Sequence, residues 1–290
     1  YSAGVANRHY AKIADVWKHL PLAELLAVER PKRYLESHAG SALYPLTRSP
    51  ERDYGVRWFL DHADASPATA KSAYRRLLAG LPGDGSYPLQ YPGSAMLAML
   101  QIGRNANYLL CDTDPESIAS LREGAEQAGL IEQTQIVLED GRAAVWDEAL
   151  KAAELRTWTV HIDPFDAFGT GASGGPSAVE LARGMAGRGA VVCYWYGYED
   201  PAHEAWAWDE IAKAVQPKAQ SAWCGDVRLA EPETDSGIIG CGVLLANATD
   251  ESMRRCDQLG RALEVMYRDA RLPSGRRGSI RFRSVGPQGA

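Results

Sequence analysis

Residues 107–129 read NYLLCDTDPESIASLREGAEQAG, and residues 135–140 follow as QIVLED. The first six residues are an apolar run closed by a carboxylate, Asp112. Asp114, Pro115 and Glu116 then supply an N-cap, a proline at the first helical position and an acid in the first turn. That combination marks a helix start. A second apolar run comes after the helix, so the stretch is a βαβ unit and predicts parallel strands. The alternation extends outward. RYLES (33–37), WTVHIDP (158–164), AVVCYWYG (190–197) and GCGVLLANA (240–248) read as further strands. GRAAVWDEALKAAEL, SAVELARGMAG and EAWAWDEIAKAV read as helices. Most strand runs are apolar nearly throughout, as expected where both sheet faces are covered. The expected fold class is α/β, a Rossmann-like, doubly wound and mostly parallel sheet.

One stretch breaks this rhythm. Residues 45–90 hold helical pieces such as ATAKSAYRRLLAG and end in GDGSYPLQYPG, with no strong strand. They read as a helical insertion carried by a single domain spanning 1–290.

Hydrophobic residues make up 46% of the 290 and charged ones 23%, enough to bury a large core. No apolar stretch approaches the ~20 residues of a membrane span, so no membrane association is expected. The opening YSAGVANRHYAKIADV lacks the basic-then-apolar layout of a secretion signal. The five cysteines form no CxxC pair, which argues for a reducing, cytoplasmic setting and against a metal site. A net charge of −6 disfavours broad nucleic-acid binding, although the tail GRRGSIRFRS concentrates positive charge. That tail reads equally well as a solvated terminus.

Ligands of open α/β sheets bind beyond the carboxyl ends of the strands. Here those ends carry Glu36-Ser37-His38-Ala39-Gly40, then Asp112, then Glu139-Asp140-Gly141, then Asp163-Pro164. Taken singly, each reads as a turn or cap residue. Together they suit a nucleoside. Asp112 would take the ribose hydroxyls, Asp140 the adenine amine, and Gly40 would let the backbone approach the ligand's tail. In dinucleotide folds such an acid lies about 20 residues past the glycine loop. Removing the 46 residues of the insertion leaves Gly40 and Asp112 26 apart. No GxGxxG is present, which disfavours NAD and favours S-adenosylmethionine (SAM). Ser94, opening the helix SAMLAMLQI, would receive a carboxylate, or would simply cap the helix. In AKIADVWKHLPLAELLAV, Asp15, Lys18 and His19 share a helix face, as they would also on a bland surface helix.

The order ADVWKH, YLESHAGSALY, YPGS, an acidic strand end, EDG and IDP-aromatic resembles the RlmJ family. These are bacterial large-subunit ribosomal RNA adenine N6-methyltransferases with a class I fold and a helical insertion. The resemblance covers residues 9–168 best. It implies SAM contacts at His19, His38, Ser94, Asp112, Asp140 and Gly141, with Gly40 in the loop between them. It also implies a catalytic carboxylate at Asp163 with Lys18 close by. In amine methyltransferases of this type the acid and a following backbone carbonyl, here that of Pro164, accept the two amine hydrogens while an aromatic stacks on the base. This chain departs from the family's Asp-Pro-Pro-aromatic, having Asp163-Pro164-Phe165-Asp166. Phe165 or Phe168 would then supply the apolar wall, and Asp166 would bear on the choice of acceptor. Ala42 replaces a glycine, and HYAKIADV stands for an HAGNHADV-type opening. The implied acceptor is RNA. A small-molecule acceptor and a non-catalytic SAM- or RNA-binding relative are the alternatives.

Overall fold

The computed structural model describes residues 9–167, 175–200, 202, 218–234 and 236–286. Its main sheet has eight strands in the order β5-β4-β1-β6-β7-β9-β8-β10. In chain order they are β1 (Arg33–Glu36), β4 (Asn107–Asp112), β5 (Thr134–Leu138), β6 (Trp158–Ile162), β7 (Val191–Tyr198), β8 (Ala222–Arg228), β9 (Gly240–Ala246) and β10 (Arg281–Val285). The strands from β5 to β7 are parallel. β9 inserts antiparallel between β7 and β8, and β10 adds an antiparallel edge. The chain therefore runs from β1 outward through β4 to β5, then crosses back to β6 on the other side. The topological switch point lies between β1 and β6, and ligands bind beyond the carboxyl ends of the strands there. This is the expected α/β architecture, a doubly wound, mostly parallel sheet, with β9 antiparallel within it.

Among the described residues, six longer helices cover the sheet: α1 (Ile13–Glu29), α2 (Ser94–Ile102), α3 (Pro115–Gln127), α4 (Gly141–Leu150), α5 (Ala178–Gly187) and α6 (Asp250–Met266). α1, α2, α3 and α6 build the core on one face, α4 and α5 that on the other. The start of α3 follows the sequence. Asp114 accepts from the backbone N–H groups of Glu116 and Ser117, and Pro115 occupies the first turn. Gly124 on α3 faces Ala42, where an added Cβ would come within 2.5 Å of the alanine's own. The methyl group of Ala42 thus fills room that Gly124 leaves.

The segment 45–90 contains the short helices Pro50–Arg52, Trp58–His62, Pro67–Ala70 and Ala73–Ala79 and no strand of the main sheet. A small antiparallel ribbon, β2 (Leu43–Pro45) with β3 (Gln90–Pro92), closes its base. ATAKSAYRRLLAG is broken at Ser72, whose hydroxyl caps the next helix through the Arg75 N–H.

Two expectations need correction. β5 is an outer strand with largely half-exposed residues, and Leu138 is 54% exposed, so its apolar run is not covered on both faces. The basic tail contributes β10, which the ring of Phe282 anchors. That ring packs on Gly260 of α6 and stands edge-on to Trp17 at 5.2 Å. The helix expected at EAWAWDEIAKAV falls outside the described residues.

Candidate active site

β6 is buried along its whole length and delivers Asp163 to the switch point. On α1, Asp15 and Lys18 stand three residues apart and therefore on one face. The Lys18 ammonium reaches Oδ2 of Asp163 at 2.8 Å and Oδ1 of Asp15 at 3.1 Å. All three side chains are 13–15% exposed. Burial pushes the Asp163 carboxyl up, but the Lys18 charge, helped by His161 and His38, holds it below its ordinary value. Burial acts against the Lys18 ammonium, yet the two carboxylates raise its pKa. For Asp15 burial prevails and the pKa rises. Oδ1 of Asp163 accepts no hydrogen bond among the described residues. The carboxylate is thus fixed through one oxygen and presents the other.

Beneath this trio lies a buried polar layer. Glu36, fully buried at the end of β1, accepts from the hydroxyl of Tyr34 at 2.8 Å, from that of Ser94, and from His161 Nδ1 at 2.9 Å. A carboxylate only accepts, so His161 carries its proton on Nδ1. His19 Nδ1 pairs with the Tyr91 hydroxyl at 2.6 Å, and Tyr91 with that of Tyr74 at 3.0 Å. Burial drives the His19 pKa well below its ordinary value, so the ring is neutral at physiological pH. The Nε2 atoms of His19 and His161 are buried without a partner among the described residues.

Around the ends of β1, β4 and β5 the expected cofactor residues converge. Gly40, at φ +61°, donates its N–H to Asp112 Oδ2 at 2.8 Å, and Asp112 Oδ1 accepts from the Asp114 N–H at 2.9 Å. A Cβ at Gly40 would sit 2.8 Å from the Tyr44 hydroxyl, so glycine suits both the backbone and the space. His38 Nδ1 pairs with the Ser37 hydroxyl at 2.8 Å. Its pKa is lowered by burial despite the fields of Asp163, Asp112 and Asp140. Asp140 caps α4 through the Arg142 N–H and holds the Arg142 guanidinium through both oxygens. At Gly141 a Cβ would fall 2.0 Å from the Ser37 carbonyl oxygen, so any side chain there would strike backbone.

Lys18 and Asp163 are therefore in direct contact. His38, Gly40, Asp112, Asp140 and Gly141 ring the adjoining strand ends. His19 and Ser94 lie lower, engaged in the buried layer. Pro164 is buried, Asp166 is exposed, and Phe165 is turned outward at 78% exposure. Phe168 lies outside the described residues. Sequence reasoning gave no role to Glu36, His161 or Arg142. The signal for Glu36 was its place at a strand end. For His161 it was the alternation that puts it on the same side as Asp163, two residues on.

A cofactor of the SAM type is tested by this cradle. The Gly40 backbone approach, the Asp112 carboxylate and the collision-free Gly141 fit a nucleoside over β1 and β4. Asp140 fits an amine donor only while sharing its oxygens with Arg142. Among the described residues no group of three or more His, Cys, Asp or Glu is placed to hold a metal ion, and no helix is long and apolar enough to cross a membrane.

No protein-family model and no curated protein matches the chain. Solved structures do. Protein LPL1258 from Legionella pneumophila, described by the family model DUF519, superposes with a TM-score of 0.75 at 20% identity, covering 97% of this chain and 99% of that one. The Bacillus cereus O-methyltransferase in complex with S-adenosylhomocysteine (SAH) gives 0.43 at 11% identity over 84% and 86% of the two chains. Cofactor-bound Rv0187 from MTB gives 0.42 at 14% identity, again over 84% and 86%. The chain has the fold of the first of these over nearly its whole length.

Proposed function

We propose that the chain, as one domain, is a SAM-dependent methyltransferase that methylates an exocyclic amine, adenine N6, of RNA. The observation that carries this reading is the carboxylate of Asp163 at the switch point, held by Lys18 through Oδ2 and with Oδ1 accepting no hydrogen bond among the described residues. SAM, when bound, supplies a methyl group on a positively charged sulfur. Two carboxylates, Asp15 and Asp163, face the single Lys18 ammonium, an excess of acid that suits a site receiving positive charge. The neutral amine of an adenine already has its lone pair, so Asp163 need not remove a proton before attack. Its open oxygen and the Pro164 carbonyl accept the amine's hydrogens and aim the lone pair, which is catalysis by orientation and charge placement. The Asp163 carboxylate stabilises the positive charge that develops on the nitrogen as it takes the methyl group, and accepts the proton that the methylated amine must shed. Asp112 and Gly40 hold the ribose side of the cofactor, and His38 and Gly141 border it. The motif order of residues 9–168 supports the RNA reading, and the full-length likeness to LPL1258 supports the fold.

Asp166 favours a second reading. Exposed three residues from Asp163, it adds negative charge where phosphates would pass and would suit a cationic small-molecule acceptor. Methyl transfer from labelled SAM, measured first with total RNA and then with a metabolite extract, separates the two. Label entering RNA supports the proposal, and label entering only small molecules replaces it.

A further inference from the structure

The segment YWYGYED at 194–200 has no part in the site as described so far. On β7, Tyr194, Tyr196 and Tyr198 point into the core beside α5, and alternation turns Trp195 to the face that carries α1. Ile162 of β6 pairs with Tyr194, so Trp195 stands level with Asp163. Lys18 links the two: its ammonium lies 5.4 Å from the Trp195 ring centroid and 2.8 Å from the Asp163 carboxylate. The ammonium thus lies against both the ring and the carboxylate.

The ring's setting is specific. Gly197 follows on the same strand face, and a Cβ there would lie 2.8 Å from Cη2 of Trp195, so the glycine gives the indole room to lie along the strand. The ring is partly exposed, while its Nε1 is buried without a hydrogen bond among the described residues. An orphaned N–H is a penalty that phenylalanine would avoid, so packing alone gives no reason for tryptophan here. Phe165 is turned to solvent, and Asp166 stands where an aromatic would follow Asp-Pro-Pro.

We infer that Trp195 is the aromatic wall of the acceptor pocket, the surface on which a planar, amine-bearing base stacks while its amine meets Asp163. This rests on the methyltransferase reading above and adds the residue that selects a flat acceptor. Indole offers the largest aromatic face among side chains, and base stacking on such a face tolerates different neighbouring sequences. The role is one of positioning the acceptor, so it affects acceptor binding and leaves the cofactor alone.

The test uses the full chain, labelled SAM and large-subunit ribosomal RNA transcribed in vitro, with Trp195→Leu and Trp195→Phe as variants. Trp195→Leu should raise KM for the RNA by roughly tenfold or more, the scale of one lost stacking partner. SAH affinity by calorimetry and the melting temperature should stay at the parent values. Trp195→Phe, which restores a ring, should recover most of the RNA affinity. If the parent methylates the RNA and Trp195→Leu does so with unchanged KM, the inference fails while the functional reading stands. A loss in Trp195→Leu that tracks lowered SAH affinity or melting temperature also overturns it, because the residue is then only structural. A parent protein that binds SAM but methylates no RNA overturns both the RNA reading and the stacked base.

Discussion

Lys18→Met removes the charge that holds two carboxylates together. The ammonium stands 2.8 Å from Asp163 and 3.1 Å from Asp15, and each side chain is 13–15% exposed. At an effective dielectric of about 20, each contact is worth roughly 5–6 kcal/mol of gross Coulomb attraction, most of it offset by desolvation. Deleting one partner of such a buried pair typically costs about 3–5 kcal/mol, because the other is left uncompensated. Two carboxylates are stranded here, so the loss at pH 7 should fall in the upper part of that range. A domain of about 5–15 kcal/mol total stability would still fold. The pH dependence identifies the cause. In the parent, the folded pKa of Asp163 is depressed, so its contribution is present above the unfolded value near 3.9 and is lost as pH falls through the folded value. The raised pKa of Lys18 makes its contribution present below about 10.4, so both hold at neutral pH. In the variant, Asp15 and Asp163 face burial and each other without a cation, and both folded pKa values rise. Its stability should therefore increase from pH 8 to pH 5 by more than the parent's, in which only the raised Asp15 carboxyl pulls the same way. Urea denaturation at several pH values measures the gap. A stability loss that is the same at pH 5 and pH 8 would refute the ion-pair account.

Other substitutions probe separate parts of the site. Asp163→Ala should lower turnover by about 10²–10³-fold, the scale of one preorganised polar group, with SAM affinity by calorimetry nearly unchanged. Asp112→Ala should weaken SAM and SAH alike by about 1.5–3 kcal/mol, partly because the Gly40 N–H loses its anchor; unchanged affinity in a folded variant would remove Asp112 from the cofactor site. Gly141→Ala should destabilise the fold by at least about 1–3 kcal/mol, since its Cβ would meet the Ser37 carbonyl, and a melting temperature equal to the parent's would show that the loop yields. Asp166→Asn should leave RNA methylation almost unaltered; loss of activity in a protein that never methylated RNA would favour the small-molecule acceptor.

The central strands were legible because each is a short apolar run ending in an acid, with capped helices between them. β8 and β10 were not. AWCGDVR mixes a charge and a glycine into its run, and RFRSV holds an edge through Phe282 packed on Gly260, a contact from distant sequence. The placement of Gly40, Asp112, Asp140 and Gly141 beyond strand ends was legible residue by residue. The adjacency of Gly40 and Asp112 emerged once the helical insertion was set aside, and the 2.8 Å contact between them is its physical form. The polar layer was hidden. Glu36 and His161 belong to different strands, and only the parallel register of β1 with β6 sets them side by side. The acceptor side shows the same limit. Phe165 lies two residues from Asp163 in sequence, whereas Trp195, level with Asp163 across the sheet, lies 32 residues away.

The most direct test of the account is methyl transfer from labelled SAM to large-subunit ribosomal RNA, with the parent protein and Asp163→Asn run side by side and SAH binding measured for both. Asparagine keeps the size of the side chain but loses the charge that meets the amine. The account predicts N6-methyladenine in the RNA with the parent, at least a hundredfold slower transfer with the variant, and SAH affinities within a few-fold of each other. RNA methylation by Asp163→Asn at the parent's rate, or a parent protein that fails to bind SAM at all, would contradict it.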